Sequence, residues 1–305
     1  MVGFRAHSDM MAARVLAGLR RVPLIFDPLT SRYEEKVIDR RLVGPHTPLA
    51  WWYRAIDGLG CRAADCVLLE TDQQITHFAR TFRVPVNRFR RMWLGADDEV
   101  LKPQPMPLHG SDGFTVFFYG WFSPLHGVEH IIQAARSLEA AGDPARFVLV
   151  GSGQTLPAAK ALVDQLGVRS VTFLPGVPYS ELGRLMGDAD LCLGSFGTTD
   201  RAQRVVPNKV FDAMAVARPV LTADTPAARA ILTHGEDVWL CAPGSGESIA
   251  DAIRVLRRDP NRLRALAAKG YAAFTTRFSL DALARDLAAI LVPLIRDRRA
   301  HPISR

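Results

Sequence analysis

The chain has 305 residues, 48% of them hydrophobic and 23% charged, with a formal net charge of +7. That length buries a large core and predicts two domains, and the composition excludes a disordered or fibrous chain. No apolar run approaches the ~20 residues that span a bilayer. The four cysteines, Cys61, Cys66, Cys192 and Cys241, have neither C-x-x-C nor zinc-finger spacing, which predicts free thiols in a reducing cytoplasm and no metal site. The positive charge admits three readings: an anionic ligand, an anionic surface, or an Arg-rich coding bias spread along the chain.

The N-terminal stretch MVGFRAHSDMMAARVLAGLRR is interrupted by Arg5, His7 and Asp9, so it does not read as a signal peptide. VGFRAH and VPLIFD (22–27) read as strands flanking a helix over 8–21. DCVLLE (65–70) is a further strand, and Thr71 with Gln74 has the spacing of a capping box for the next helix. The segment LKPQPMPLHG (101–110) has the composition of a linker.

From Gly113 onward a short apolar run, a Gly-containing turn and an amphipathic helix repeat. FTVFFYG (114–120), RFVLVG (146–151), SVTFL (170–174), DLCLGSF (190–196), RPVLTA (218–223) and DVWLCAPG (237–244) read as strands. Helices are predicted over 127–142, 155–167, from about Ser180, over 247–258, 260–275 and 279–297, and within RAQRVVPNKVFDAMAVARPVL. Thr225-Pro226 reads as an N-cap followed by Pro at the first helical position. Strands apolar on both faces that alternate with helices imply a parallel, doubly wound α/β sheet.

Ligands of such sheets bind beyond the carboxyl ends of the strands, where helix N-termini attract phosphate. The turns Tyr119–His126, Gly151–Gln154 and Ser195–Lys209 all fall there. Gly151 and Gly153 alone read as tight-turn residues. Three turns with cations among them, one carrying Arg204, Asn208 and Lys209 ahead of Asp212, point to a phosphorylated ligand.

In order, YGWFSPLHGVEHIIQAA, FVLVGSGQ, VTFLPGVPYSELGRLMGDADLCLGSFG and PNKVFDAMAVARPVLTADTPAARAIL resemble glycosyltransferase family 4, the group 1 transferases of GT-B fold. The resemblance runs from about Ser8 to Leu291, is densest from Phe114 to Pro243, and includes GADDEVLKP (95–103). It implies two Rossmann-like doubly wound domains facing a cleft. It also implies retaining transfer of a sugar from a nucleoside-diphosphate sugar to a hydroxyl acceptor, with no bound cofactor and no metal. Such chemistry needs cations and backbone N–H groups aimed at the leaving diphosphate, and no glycosidase-like carboxylate pair.

The family pattern has two Glu eight residues apart, the first toward the sugar and the second toward the ribose. Asp212 stands at the second place and Arg204, of opposite charge, at the first. Where the family carries an Arg and a Lys on the turn after the first C-terminal strand, this chain has Trp121 and His126. The expectation is therefore that Arg204 and Lys209 neutralise the diphosphate, with Asn208 positioning phosphate or sugar and His126 donating to phosphate. Gly151, Gly153, Ser195 and Gly197 would complete the donor site. Asp27, ending VPLIFD, is the catalytic candidate of the N-terminal domain, with a turn role before Pro28 as the other reading.

The resemblance also implies that the N-terminal domain lacks its first βα units. Expected domains are 1–108, an incomplete acceptor-side unit; 109–278, the nucleotide-sugar unit; and 279–305, a helix and tail packing back toward the first. RTFRVPVNRFRRMW (80–93) and WWYR (51–54) invite a peripheral contact with an anionic membrane, against an ordinary core role for the aromatics. No nucleic-acid motif is present. Two alternatives to the transferase stay open: a non-catalytic sugar-nucleotide binder and a GT-B sugar-nucleotide epimerase.

Overall fold

The computed structural model describes residues 1–3, 6–107 and 113–300, with the backbone alone over 297–300. Two compact units emerge, one comprising Met1–Leu94 with Asp281–Arg305 and the other Gly95–Leu280.

The N-terminal unit is built on a three-stranded parallel sheet of β1 (Ile25–Phe26), β2 (Cys66–Leu69) and β3 (Phe89–Arg91), in that order. Of the expected first strand, Phe4 and Arg5 lie outside the described residues, and Val2 makes a single parallel bridge to Phe26. The alternation of a strand sends successive residues to opposite faces. Phe26, Val67 and Leu69 pack under α1 (Met10–Arg20) and α3 (Asp72–Phe82). Ile25, Cys66 and Leu68 instead meet Leu287, Ile290, Leu291 and Leu294 of α11 (Leu280–Ala300). Between β1 and β2 lies α2 (Pro48–Ala63), opened by Thr47, whose hydroxyl accepts from Ala50 N at 3.2 Å. Thr71 caps α3 by accepting from Gln74 N at 3.0 Å. Gln74 answers Glu70 rather than the Thr71 backbone, so half of the capping box forms.

The C-terminal unit holds a six-stranded parallel sheet among the described residues. Its strands are β4 (Thr115–Trp121), β5 (Arg146–Ser152), β6 (Val171–Leu174), β7 (Leu191–Leu193), β8 (Val220–Ala223) and β9 (Trp239–Cys241). Their spatial order is β6-β5-β4-β7-β8-β9. Chain order therefore reverses between β4 and β7, and that reversal opens a crevice at the carboxyl end of the sheet. α4 (Val128–Ala140), α5 (Leu156–Leu166) and α9 (Gly246–Arg257) cover one face; α6 (Tyr179–Gly187), α7 (Asn208–Ala215) and α10 (Pro260–Arg277) complete the unit. α8 (Pro226–Arg229) starts as expected, Thr225 accepting from Ala228 N at 3.1 Å.

The Pro-rich segment does not behave as a free tether where it is described. Leu101 is buried, and Gln104 N donates to Val216 O at 3.1 Å. The guanidinium of Arg218, itself buried, donates to the carbonyls of Met186 (3.1 Å), Gly187 (3.0 Å), Gln104 (3.3 Å) and Pro105. A buried cation is tolerated only when its donors are occupied, and here carbonyls of the segment occupy several of them. Residues 108–110 of the segment, and with them the expected 108/109 boundary, lie outside the described residues.

Candidate donor-binding site

At the switch point the backbones of two turns touch. A Cβ on Gly127 would lie 2.6 Å from Gly197 N, and one on Gly197 would lie 2.3 Å from Pro124 O. Gly197 N donates to Leu125 O at 3.2 Å and Phe196 N to His126 O at 3.0 Å. On the other side of β4, Gly151 and Gly153 (φ +137° and +146°) have no room for a side chain. Their Cβ atoms would lie 2.0 Å from Gly120 O and 2.5 Å from Phe122 O. These glycines hold the turns after β4, β5 and β7 against one another, which explains their residue type without any ligand.

The loop before α7 joins the same cluster through Ala202 and Val205, which pack on Leu125. Arg204 is half-buried in the turns of this loop rather than in the helix. Ser195 is buried, and its hydroxyl has no hydrogen-bond partner among the described residues. It lines a small cavity with Gly197, Pro207, Thr222 and Thr225. Asn208 is the exposed first residue of α7.

α7 is buried on all sides, from Lys209 to Ala215, so its two charged residues cannot rely on water. Asp212, 2% exposed, accepts from the phenols of Tyr119 and of Tyr179, the latter at 2.8 Å. Burial pushes its carboxyl up to about 6, with the two phenol hydrogen bonds and Lys209 acting against that rise. Lys209 lies over the Phe118 ring, 4.7 Å from its centroid, and beneath Gly120, whose added Cβ would sit 3.1 Å from the ammonium. Desolvation brings its ammonium down to about 7, Asp212 partly offsetting the fall. The result is a buried acid and base, one turn apart, under the carboxyl end of β4.

His126 donates from Nδ1 to Trp121 O and lies 3.3 Å from Ser123 Oγ. In the neutral ring that bond leaves Nε2 as the lone-pair nitrogen, so His126 can donate outward to phosphate only as imidazolium. Asp27 belongs to the N-terminal unit, directly after β1. Its N–H donates to Val2 O at 2.8 Å, and burial raises its carboxyl.

The expected residues thus fall into three groups. Lys209, Asp212 and the end of β4 form one cluster; Gly127, Gly197, Ser195 and the Arg204 loop form a second around Leu125; Asp27 stands apart in the other unit. Sequence reasoning missed Tyr119 and Tyr179, which take both carboxylate oxygens of Asp212. The available signal was indirect: an Asp within an all-apolar helix must find donors somewhere.

Comparison with known proteins agrees with this architecture. Residues 113–259 match the family described as glycosyl transferases group 1. The chain is 26% identical over 168 residues to the putative colanic acid biosynthesis glycosyltransferase WcaL of Salmonella typhimurium, covering 54% of this chain and 41% of that one. It is 28% identical over 174 residues to the lipopolysaccharide core biosynthesis glycosyltransferase LpsD of Rhizobium meliloti, covering 57% and 48%. The matched stretch thus spans less than half the length of either relative. In fold, the chain is similar to HepE of Anabaena, solved with UDP-glucose, with a TM-score of 0.73 and 18% identity over 95% of this chain and 78% of HepE. It shares the GT-B fold, with two Rossmann-like α/β units. The match to the group 1 glycosyl transferases falls within the C-terminal unit, Gly95–Leu280.

Proposed function

We propose that the protein is a retaining glycosyltransferase that moves a sugar from a nucleoside-diphosphate sugar to a hydroxyl acceptor. The observation that carries this reading is the buried Asp212–Lys209 cluster at the carboxyl end of β4, inside a group 1 domain whose glycine-packed turns meet at the switch point. Asp212 is suited to accept the two ribose hydroxyls of the donor. For that, the half-exposed Tyr179 has to release its carboxylate oxygen.

Breaking the glycosyl–phosphate bond leaves negative charge on the diphosphate while the sugar turns oxocarbenium-like. Lys209, Arg204 and the N–H groups at the start of α7 are proposed to carry that charge in place of a metal ion, with Asn208 orienting phosphate or sugar. His126 joins them when protonated. Asp27 is the N-terminal unit's candidate for accepting a hydrogen bond from the acceptor hydroxyl.

The acceptor class proposed is a glycan or a lipid-linked sugar, in keeping with the names of WcaL and LpsD. Among the described residues no helix is long and apolar enough to cross a membrane. Peripheral contact of the N-terminal unit with an anionic leaflet, on the cytoplasmic side, is therefore the proposed route to such an acceptor. The test is to incubate the protein with UDP- and GDP-sugars and follow release of nucleoside diphosphate. The anomeric configuration of the product is then read by NMR. Release with retention supports the proposal, and nucleotide binding without release at any donor overturns it.

A further inference from the structure

The N-terminal unit carries a cavity of about 530 Å³ that the donor chemistry does not use. It runs along one face of α2, from Trp51 through Arg54 to Arg62, and is closed by Tyr33, His46 and Thr81. Residues 51, 54, 58 and 62 share this face because they recur at helical spacing. The cavity is of the size that holds a small ligand.

Its charge has one sign. Among the described residues no Asp or Glu lines it, and the sole carboxylate of α2, Asp57, points into the unit, where it accepts from Ser31 Oγ at 2.5 Å and Tyr33 N at 3.0 Å. Arg54 lies over the Tyr33 ring, 5.6 Å from its centroid. Arg62 donates to Phe82 O at 2.6 Å and thereby ties α2 to the end of α3. Arg88, exposed, donates to Arg62 O at 3.0 Å, and Arg80 and Arg83 stand exposed on the last turn of α3 and just beyond it.

Large apolar side chains stand exposed on α2 and the chain leading into it. Trp51 is 68% and Trp52 56% exposed, and Leu42, Leu49 and Leu59 are also exposed. Helical spacing here has not sent the two tryptophans into the core. An indole placed where an apolar surface meets charge suits a membrane interface, with its ring among acyl chains and its N–H toward water. A guanidinium matches a phosphate group with two parallel hydrogen bonds.

We propose that this cavity is a docking site for the phosphate headgroup of an anionic lipid, with Trp51 and Trp52 seated in the bilayer interface. The proposal rests on the peripheral-membrane reading above and adds the site that carries it. It makes α2, rather than the scattered arginines as a whole, the membrane-facing element.

The experiment is sedimentation of the full chain with vesicles of phosphatidylcholine alone or with phosphatidylglycerol. Arg54→Ala, Arg54→Glu and a Trp51→Ala/Trp52→Ala double variant are compared with Arg264→Glu, which alters the same net charge at an exposed position of the C-terminal unit. Arg62 is left in place because its bond to Phe82 O supports the fold. A basic side chain near an anionic leaflet contributes a factor of about five. Arg54→Ala is therefore expected to weaken binding to the mixed vesicles about fivefold and Arg54→Glu about 25-fold, with Arg264→Glu changing it less than about twofold. The tryptophan fluorescence of the parent should shift to the blue on binding, and most of that shift should vanish in the double variant. If the Arg54 variants and the double variant bind as the parent does, or if Arg264→Glu loses as much as Arg54→Glu, the cavity is not the docking site and the peripheral reading survives. If the parent binds no phosphatidylglycerol vesicle, both fall. Binding of inorganic phosphate, lost in Arg54→Glu, in a protein that ignores vesicles would overturn the proposal in favour of a soluble anion.

Discussion

Two buried aspartates, one in each unit, solve the same electrostatic problem in different ways. Asp57 in the N-terminal unit and Asp212 in the C-terminal unit are 1% and 2% exposed, and burial raises both carboxyls. Asp57 is answered by Ser31 Oγ and Tyr33 N from the chain following β1, with His7 Nε2 3.6 Å away. Ser31 and His7 are themselves buried, which shuts the cluster off from a ligand in solution. Asp212 is answered by two phenols and a lysine under strand ends, and one phenol, Tyr179, is partly exposed. Burial and a raised carboxyl therefore do not by themselves mark a binding site. The proposed site differs in its position at the carboxyl end of the sheet and in having a partly exposed phenol among its partners.

Removing the two carboxylates should separate the roles most widely. Asp212→Ala takes away the proposed acceptor of two ribose hydroxyls, each charge-assisted bond being worth about 1.5–3 kcal/mol, and nucleotide affinity should fall about 100-fold or more. Asp57→Ala leaves Ser31 Oγ and the Tyr33 N–H without their buried acceptor and takes the carboxylate from beside His7. It should cost about 2–4 kcal/mol of stability, while the folded protein binds nucleotide as before. Calorimetric titration with UDP and GDP, beside urea unfolding of each variant, checks both. Equal losses of affinity would erase the distinction.

The next effect is in pH. The Lys209 ammonium, held down to about 7 by burial, must be protonated to meet a diphosphate, and the anion raises its value in the complex. The complex then keeps a proton that the free protein gives up above about pH 7, so affinity should fall by up to about tenfold per unit as pH rises further. Asp212, raised to about 6, ceases to accept two hydroxyls once protonated, so affinity should also fall below about pH 6. Lys209→Arg should flatten the alkaline limb, because a guanidinium stays charged. In the N-terminal unit pH should move stability instead. Asp57 has its folded value raised, so its contribution is complete at acid pH and is lost as pH rises through that value. Asp57→Asn should remove that slope from urea unfolding profiles and leave the affinity profile unchanged.

The contrast between the clusters was only half legible in the sequence. Strand and helix order came through because apolar runs, glycine turns and caps such as Thr71 and Thr225 are local signals. The resemblance singled out Asp212, whose immediate neighbours already set it on an apolar helix. Its phenol partners lie 93 and 33 residues away, and no local rule joins them. Arg218 likewise reads as the lead-in to β8, although its donors collect carbonyls from Gln104, Pro105, Met186 and Gly187. α2 carries glycines and exposed tryptophans along with few buried apolar positions, which hid its helical period. In each case pairing across the fold, rather than spacing along the chain, decides the residue's role.

The smallest effect is the sharpest test of the movable partner. If Tyr179 has to release Asp212 before ribose can bind, its hydrogen bond competes with the ligand. Tyr179→Phe keeps the ring and removes that competitor, along with the weak bond the phenol accepts from Asp97 N at 3.4 Å. The bond is charge-assisted, but Tyr179 is partly exposed and water replaces much of it in the variant, so UDP should bind about two- to tenfold more tightly. The gain should disappear when a 2′,3′-dideoxyribose nucleotide replaces the ribose form, because it depends on hydroxyls meeting the freed oxygen. Ser31→Ala is the matching change at Asp57. It should lower stability by about 1 kcal/mol and leave UDP affinity as it was. A loss of affinity in Tyr179→Phe would mean that the phenol orients Asp212 for the ribose instead of competing with it, and Asp212 would then be held as rigidly as Asp57.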